Sequence, residues 1–534
     1  MMGKDQQKLN AALLVDSLSI ANYQKQALIN ALELLDIKII INCQNPVIRK
    51  YSLKIFFHYF LNLLSTKNFM TQLTSFPDEL SGVEIINFNS LYQGPDQFIP
   101  SDIYDLVKNM NCKIIIKFGM DFLKIKDNAQ NLDILSYFYG NSDKHPNNLP
   151  GFREISENAE KLEIIVQKLS NNPDSGKIYA RVFSKVFKHS YKRTSIECLL
   201  ASRFLLRKAL INYKESKWNQ INKPYKVDTL PSNLQVIKFF ILLIKNKISW
   251  IVYGAFYEKS WNILKGDIDE INFNERNILT VKNHKVAVIE KRYSFYSDPF
   301  FSPSKDIIRV EAMNKSSDKG EIVELSQNTL ELKRIILGNP KYHYSYPFTF
   351  IDKEDEFILP EVASHSKQFF ISKPYEEEDK IFLWGLDQPL KDPTIINING
   401  IYYLFAGFSS FETIEQNLFY SLNSLDGPYK PHPLNPIVVN PKGARNAGRI
   451  FEKNGDLFRF GQNNTSSYGN GIIINKIIEI SEEKYCEEEV GSIRFNDCFG
   501  PHTIDIKNRE MILDFYEDKF NIFAGFNRIK TRFF

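Results

Sequence analysis

The sequence is poor in cysteine, and the cysteines it has show no pairing motif. Only five occur among 534 residues, and no two of them form a Cys-x-x-Cys pair. An odd and scattered set argues against a disulfide framework and against a structural zinc site, so we expect a reducing compartment. The five are Cys43, Cys112, Cys198, Cys486 and Cys498.

A long apolar run is also missing. The stretch from Val236 to Val252 comes nearest, but three lysines and an asparagine interrupt it, whereas a membrane-spanning helix needs about 18 or more apolar residues in succession. Near the N-terminus, the apolar run from Ala11 to Val15 is too short for a secretory signal. We therefore expect a cytoplasmic protein.

The charges are nearly balanced. Lysine and arginine together number 67 and the acidic residues 63, which leaves a formal net charge of +4. This small excess does not indicate nucleic-acid binding. Apolar bulk is present instead, since 43% of the residues are hydrophobic and 13% are aromatic. The length and this composition predict two or three globular domains.

Strand-like and helix-like patterns alternate through residues 1–185. Such alternation predicts a parallel sheet with helices on both faces, which is a Rossmann-like α/β domain. A strand-rich stretch at 133–183 ends this domain. The other predicted strands are 9–15, 37–42, 83–87 and 113–118, and the predicted helices are 20–35, 52–64 and 101–110.

Residues 186–247 follow a different pattern, which we interpret as a helical linker or as packing helices. Helical stretches at Glu197–Leu210 and Leu234–Lys245 flank a polar loop. The second stretch suits either a core helix or a helix on a membrane surface, and we favour the core. Residues 248–257 look like a strand, which we expect to pair with the last part of the chain.

Five short strand starts recur between residues 296 and 503, at intervals of 46 to 57 residues. A repeat of this length with many β-forming residues is typical of propeller blades. We therefore predict a five-bladed β-propeller over 248–534, in which the first residues of the inner strands meet at one mouth of the channel. The equivalent residues are Asp298, Tyr346, Asp392, Arg445 and His502.

The motifs of this half resemble the five-bladed propeller at the N-terminus of plant glucosamine inositolphosphorylceramide transferases, an architecture similar to five-bladed glycoside hydrolases. In the plant enzymes the sugar transfer is assigned to a different domain, so the resemblance does not imply ceramide glycosylation here. The matching motifs are Ser297-Asp298-Pro299-Phe300, Ser345-Tyr346-Pro347, Pro360-Glu361, Asp392, Arg445, Ala447-Gly448-Arg449, Gln462, Tyr468-Gly469 and His502-Thr503.

The first 185 residues resemble the N-terminal domain of formyltransferases, which use an Asn/His/Asp set and a one-carbon tetrahydrofolate. Phe138 stands where that family has its catalytic histidine, and Asn141 stands where it has an aspartate. Ser136 and Asp174 keep two further motif positions. Phenylalanine can neither stabilise an oxyanion nor relay a proton, so we expect a degenerate formyltransferase site.

Carboxylates at the predicted mouth suit glycoside chemistry, which needs one acid and one base or nucleophile. The candidates for these roles are Asp298, Glu361 and Asp392. Arg445 is expected to bind a substrate phosphate or carboxylate. Both Asp-Pro pairs can equally cap turns, and a buried histidine can be purely structural. The predicted substrate-binding residues are Tyr346, Arg445, Gln462, Tyr468 and His502.

Three functions remain open. The first is a carbohydrate-active enzyme of surface-polysaccharide or glycolipid biosynthesis, with a sugar, nucleotide sugar or phosphosugar at the mouth, no cofactor and no metal. The second is a sugar N-formyltransferase that uses 10-formyltetrahydrofolate, with the propeller binding the acceptor. The third is a non-catalytic glycan-binding scaffold. No nucleic-acid partner is expected, and a membrane surface is not favoured.

Overall fold

The chain separates into two compact units, Met1–Ile248 and Ser249–Phe534. The computed structural model describes residues 8–45, 53–65, 67–94, 96–121, 123–125, 132–140, 150–170, 176–220, 230–362, 364–372, 380–408 and 415–533. Within these ranges, no helix combines the length and the apolar character needed to cross a bilayer.

The first unit is built on one eight-stranded sheet. Five neighbouring strands, which form the centre and one edge of the sheet, run parallel to one another. The strands after residue 160 run antiparallel to their neighbours. The α/β architecture predicted from the alternating pattern is therefore confirmed. In spatial order the strands are Asn219–Gln220, Lys177–Lys185, Lys161–Lys168, Asp133–Tyr139, Ile114–Lys117, Leu9–Val15, Leu35–Cys43 and Glu84–Phe88.

Helices cover the faces of this sheet. The strand Leu9–Val15 is buried along nearly its whole length, as expected for a parallel strand covered on both sides. The helix Ser101–Asn109 buries Ile103, Tyr104 and Val107 in the core on one face. The helices of this unit are Asn22–Ile29, Phe56–Ser65, Ser101–Asn109, Phe152–Ser156, Tyr191–Ser202, Leu205–Lys214 and the long helix Asn233–Phe256, which continues into the second unit.

The segment predicted as a linker is not a separate connector. The helix Tyr191–Ser202 buries eight of its twelve residues, and Leu205–Lys214 buries Leu205, Leu206, Ala209 and Leu210. Both helices contact the strand Lys177–Lys185. They bury apolar side chains against the first sheet, so most of 186–247 belongs to the first unit.

The second unit is a five-bladed β-propeller, as predicted. Blade 1 consists of Tyr293–Phe301, Ile307–Asn314, Lys319–Ser326 and Leu332–Leu337, and blade 2 of Ser345–Asp352, Asp355–Glu361, Phe369–Ile371 and Lys380–Phe382. Blade 3 consists of Leu390–Ile398, Ile401–Phe408, Glu415–Leu422 and Lys430–Pro431, with Val438–Val439 beside Glu415–Leu422. Blade 4 consists of Lys442–Asn446, Asp456–Asn463, Ile472–Ile480 and Tyr485–Phe495, with Phe451–Lys453 and Arg276–Leu279 alongside.

Blade 5 joins the two ends of the propeller sequence. The strand Ile504–Lys507 pairs with Glu510–Phe520. Glu510–Phe520 pairs in turn with Tyr257–Asp267, whose other neighbour is Lys285–Val286. The predicted closure is present, but its strand begins at Tyr257, because residues 248–256 continue the helix Asn233–Phe256. An apolar run of this kind suits a helix and a strand equally well, so the sequence pattern could not separate them.

Candidate functional site

A bulge in the inner strand sets the geometry of the mouth in the first three blades. Ser297 faces Glu311 and Phe300 faces Arg309, so the inner strand advances by three residues where its neighbour advances by two. The same irregularity occurs at the matching place in blades 2 and 3. In each case an X-Pro pair of the inner strand stands opposite a single residue of its neighbour. Proline suits such a position because it needs no ladder hydrogen bond there.

The residue before each of these prolines adopts a left-handed backbone. The φ angles are 49° at Asp298, 46° at Tyr346 and 46° at Asp392, a conformation that costs a non-glycine residue about 1–2 kcal/mol. Because the same strained turn is repeated in three blades, it gives these side chains equivalent positions around the channel. Arg445 lies in the inner strand of blade 4, and His502 lies just before that of blade 5.

The first cluster of buried polar groups surrounds His502. Its Nε2 lies 3.3 Å from Oδ1 of Asp298, and its Nδ1 lies 2.6 Å from Oδ2 of Asp514. The Thr503 hydroxyl donates a hydrogen bond of 2.6 Å to the same Oδ1 of Asp298. The imidazole is thus held between two carboxyl groups, and Asp514 further accepts from the backbone N–H groups of His502 and Thr503.

Burial and charge act in opposite directions in this cluster. Burial lowers the pKa of His502, but Asp514 and Asp298 outweigh it and raise the pKa to about 9. For Asp298, burial raises the pKa to about 8, although the neighbouring His502 lowers it. His502 is therefore positively charged at neutral pH, and Asp298 can hold a proton there.

The second cluster is centred on Arg445. Its Nε and Nη2 donate to the two carboxylate oxygens of Asp392, with the Nη2 bond at 3.0 Å. Nη2 also lies 3.5 Å from Oε2 of Glu361. Gln462 donates to Oδ2 of Asp392 at 3.0 Å, and the backbone N–H of Asp392 donates to Glu361 at 3.1 Å. Across the described residues, Nη1 of Arg445 makes no hydrogen bond to protein.

Glu361 is the group in this cluster whose proton affinity is suited to neutral pH. Burial raises its pKa to about 7; Arg445 opposes this shift, and the charge of Asp392 adds to it. Its side chain is 11% exposed and that of Arg445 is 14% exposed. Both groups can therefore reach a ligand at the mouth while remaining largely shielded from water.

Tyr468 connects the two clusters. Its ring centroid lies 5.3 Å from the Arg445 guanidinium and 5.5 Å from the His502 ring. At 37% it is the most exposed of the site residues predicted in the propeller. The next residue, Gly469, has φ of 66°, and a Cβ there would lie 2.8 Å from Trp261 and 2.9 Å from His502. Only glycine lets this loop lie against the cluster.

Like Gln462, which is also fully buried, Tyr346 has no exposed surface. It is fully buried, and its hydroxyl is 3.0 Å from Thr394 Oγ1 and accepts a 2.9 Å hydrogen bond from the backbone N–H of Gly448. Through these hydrogen bonds, the phenol of Tyr346 joins blades 2, 3 and 4. The structure therefore places Tyr346 beneath the mouth, with no exposed surface for a substrate.

Sequence reasoning missed several members of the site. Glu311, in the second strand of blade 1, accepts from Ser297 at 2.9 Å and lies 3.3 Å from Nε2 of His343. Trp261 packs on His502 with ring centroids 4.2 Å apart. A signal existed for two of them: Glu311 and Asp514 are acidic residues inside otherwise apolar strand patterns, where a buried charge needs a reason.

The His502 cluster has the spacing of a metal site, because Asp298, His502 and Asp514 offer ligand atoms that all lie within 4.8 Å of one another. Both ring nitrogens of His502 already face a carboxylate oxygen. A metal ligand must present an unprotonated nitrogen to the ion, whereas this geometry favours the imidazolium. The trio fits a charged histidine between carboxyl groups better than a cation site.

In the first unit, the strand Asp133–Tyr139 carries two of the residues predicted for a degenerate formyltransferase site. Ser136 is buried, and Phe138 packs against Ile165 and Ile178. Asn141 and Asp174 lie outside the described residues. The side chain at the position of the family's histidine is thus part of an apolar cluster.

Comparison with known proteins finds a family model and relatives whose sequences are similar to that of the second unit. Residues 245–500, just under half of the chain, match the family model "Glucosamine inositolphosphorylceramide transferase 1, N-terminal". The glucosamine inositolphosphorylceramide transferase 1 of Arabidopsis thaliana is 30% identical over 268 residues, which cover 46% of this chain and 34% of the relative. The chain thus spans about a third of the length of that relative.

Solved structures show weaker likenesses. Zg3597, a family 117 glycoside hydrolase from Zobellia galactanivorans, is 13% identical with a TM-score of 0.29, covering 49% of this chain and 91% of its own. The phosphoribosylglycinamide formyltransferase from Anaplasma phagocytophilum is 9% identical with a TM-score of 0.28, covering 42% and 100%. Scores this low support no functional conclusion. The resemblance confirmed by sequence is that of residues 245–500 to the N-terminal part of the glucosamine inositolphosphorylceramide transferases.

Proposed function

We propose that the second unit binds a sugar at the propeller mouth and breaks or transfers a glycosidic bond there. The observation that carries this proposal is the arrangement of two buried carboxyl groups with raised pKa, Asp298 and Glu361, near the exposed ring of Tyr468. Buried ionisable groups are costly unless they are paired or used. The mouth holds several of them within two connected clusters.

Glu361 is proposed as the proton donor. A pKa of about 7 leaves this group about half protonated in neutral solution, so it can lose and regain the proton during a reaction. Asp298 is proposed as the second carboxyl group, which activates water or attacks the sugar in its ionised form, the form that the neighbouring charge of His502 favours against burial. The Thr503 hydroxyl and Nε2 of His502 both face its Oδ1 and would stabilise its negative charge.

Asp392 and Arg445 are proposed to orient the substrate. Asp392 holds the guanidinium by two nitrogens, which leaves Nη1 to donate to a sugar hydroxyl or to a phosphate or carboxylate substituent. The exposed ring of Tyr468 offers an apolar face for a sugar ring. Because Asp392 offsets the charge of Arg445, a neutral sugar fits as well as an anionic one.

The wider role proposed is in glycolipid or surface-polysaccharide biosynthesis in the cytoplasm. The support comes from the sequence match, since the relatives are named as glucosamine inositolphosphorylceramide transferases. The proposed substrates are sugars, nucleotide sugars or phosphosugars attached to or destined for such glycans.

The test is turnover and binding by the full chain with a panel of aryl glycosides, sugar phosphates and nucleotide sugars. We expect Asp298→Asn and Glu361→Gln each to lower turnover by about 10²–10⁴-fold while the dissociation constant changes by less than about tenfold. Asp392→Asn should weaken binding as well, because it releases Arg445. The exposed Glu354→Gln is the matched control.

Two results would contradict this proposal. Unchanged turnover in both Asp298→Asn and Glu361→Gln would exclude acid–base catalysis at the mouth. Sugar binding without turnover by the unsubstituted chain would instead support a glycan-binding scaffold.

A further inference from the structure

The long helix Asn233–Phe256 packs on the first unit along one face. Phe239 contacts Phe152 and Tyr191, with ring centroids 4.5 Å and 5.5 Å apart. Asn246 donates to the backbone carbonyl of Lys188 at 3.0 Å. One heptad further on, the Tyr253 hydroxyl donates to Asp518 at 2.6 Å. Phe239 and Asn246 are seven residues apart, so they lie on one side of the helix. The prediction of a core helix holds for this side only.

The opposite side of the same helix is an exposed apolar stripe, here called the apolar seam. Its members alternate at steps of three and four residues, which keeps them on one face. All are branched aliphatic residues, between 42% and 63% exposed. They are Leu234, Ile237, Ile241, Ile244, Ile248 and Ile251.

The charges beside the apolar seam distinguish between the partners that could cover it. The helix contains three lysines, Lys238, Lys245 and Lys247, and no acidic residue, and all three lysines are exposed. Lys238 and Lys245 border the seam on one side and Lys247 on the other. A second copy of the helix would bring lysines towards lysines and would supply no acidic side chain of its own, which destabilises a helix pair. An anionic lipid surface complements them instead.

A second element of the propeller unit presents the same chemistry. The helix Ala524–Phe533 has no acidic residue, and Phe523, Phe526 and Ile529 are 57% to 67% exposed. Arg528 from this helix donates to the backbone carbonyls of Gly254 and Tyr257, at the end of the long helix. Exposed aromatic and aliphatic side chains therefore adjoin the end of the long helix.

We propose that the apolar seam of the helix Asn233–Phe256 docks on the surface of an anionic lipid bilayer. The helix is about 36 Å long, and it lies along the bilayer plane with the seam in the acyl boundary. The flanking lysines extend to the lipid head groups. This inference concerns where the chain is held and is independent of catalysis at the propeller mouth.

The test is sedimentation of the full chain with vesicles of phosphatidylcholine, with and without phosphatidylserine. We expect binding to the vesicles that contain phosphatidylserine. Ile241→Glu with Ile248→Glu should lower the partition coefficient by at least about tenfold, and Lys238→Glu with Lys245→Glu by a similar factor. All four sites are exposed, so thermal unfolding should be unchanged. The matched control is Lys291→Glu with Lys333→Glu, on the propeller.

Either of two outcomes would overturn the proposal. One is vesicle binding by Ile241→Glu with Ile248→Glu that equals that of the unsubstituted chain. The other is no binding to any vesicle together with a dimer that the same two substitutions convert to a monomer, which would assign the seam to a second copy.

Discussion

The propeller mouth and the end of the strand Asp133–Tyr139 differ in the side chains that they bury: charged groups at the mouth and an apolar group in the strand. At the mouth, Asp298, Asp392 and Asp514 are buried, and each has a cationic or hydroxyl partner within hydrogen-bond reach. In the first unit, the position that resembles a catalytic histidine holds Phe138, packed against aliphatic side chains. Burying paired charges costs desolvation that an apolar residue avoids. A difference of this kind is what the catalytic role proposed for the mouth requires.

Removal of one partner at the mouth gives the largest expected effect on stability. Arg445→Ala would leave Asp392 buried without its cation, and we expect a loss of about 3–5 kcal/mol in the free energy of unfolding of the propeller. Hydrogen exchange of propeller amides during urea titration would measure it. Arg494→Ala, at an exposed site, should change stability by less than about 0.5 kcal/mol. Equal effects of the two variants would mean that the ion pair does not stabilise the mouth.

A smaller effect on the stability of the mouth is expected from a change in pH. The pKa of Glu361 is raised from 4.5 to about 7 in the folded chain. Its protonated form therefore favours folding below pH 4.5, and this contribution is lost as pH rises through about 7. Relative to Glu361→Gln, the unsubstituted chain should lose about 1–3 kcal/mol between these limits.

Paired urea titrations of the two proteins at acid, neutral and mildly alkaline pH would measure this difference. Titrating groups far from Glu361 are shared by both chains and cancel. Glu354→Gln should follow the unsubstituted chain at every pH. If Glu361→Gln does so too, the buried position of Glu361 does not shift its pKa.

The repeat of the inner strands could be predicted because it is local. Asp298-Pro299, Tyr346-Pro347 and Asp392-Pro393 each mark one bulged turn, so the spacing alone indicated blades and a shared mouth. The limits of the first sheet were predictable for the same reason, since strands such as Leu9–Val15 are continuous apolar runs.

Pairing between distant residues could not be predicted in this way. Asp514 meets His502 because two strands of blade 5 bring them together, and Glu311 meets His343 across blades 1 and 2. Tyr346 looked equivalent to Asp298, but a phenol is long enough to reach Gly448 and serve packing. The helix Asn233–Phe256 showed its two faces only when the contacts of Phe239 and Asn246 were known.

The smallest effect is expected in the first unit, where Phe138→His would restore the residue type of the formyltransferase family. An imidazole among Ile165 and Ile178 lacks the polar partners that the mouth provides, so we expect a loss of about 1–2 kcal/mol in the free energy of unfolding. Phe138→Leu, which stays apolar, should cost less. Calorimetry should detect no binding of 10-formyltetrahydrofolate to the unsubstituted chain or to Phe138→His. Folate binding by the unsubstituted chain would contradict the degenerate site, and formyl transfer to an amino sugar would then make the first unit, rather than the propeller, the centre of the chemistry.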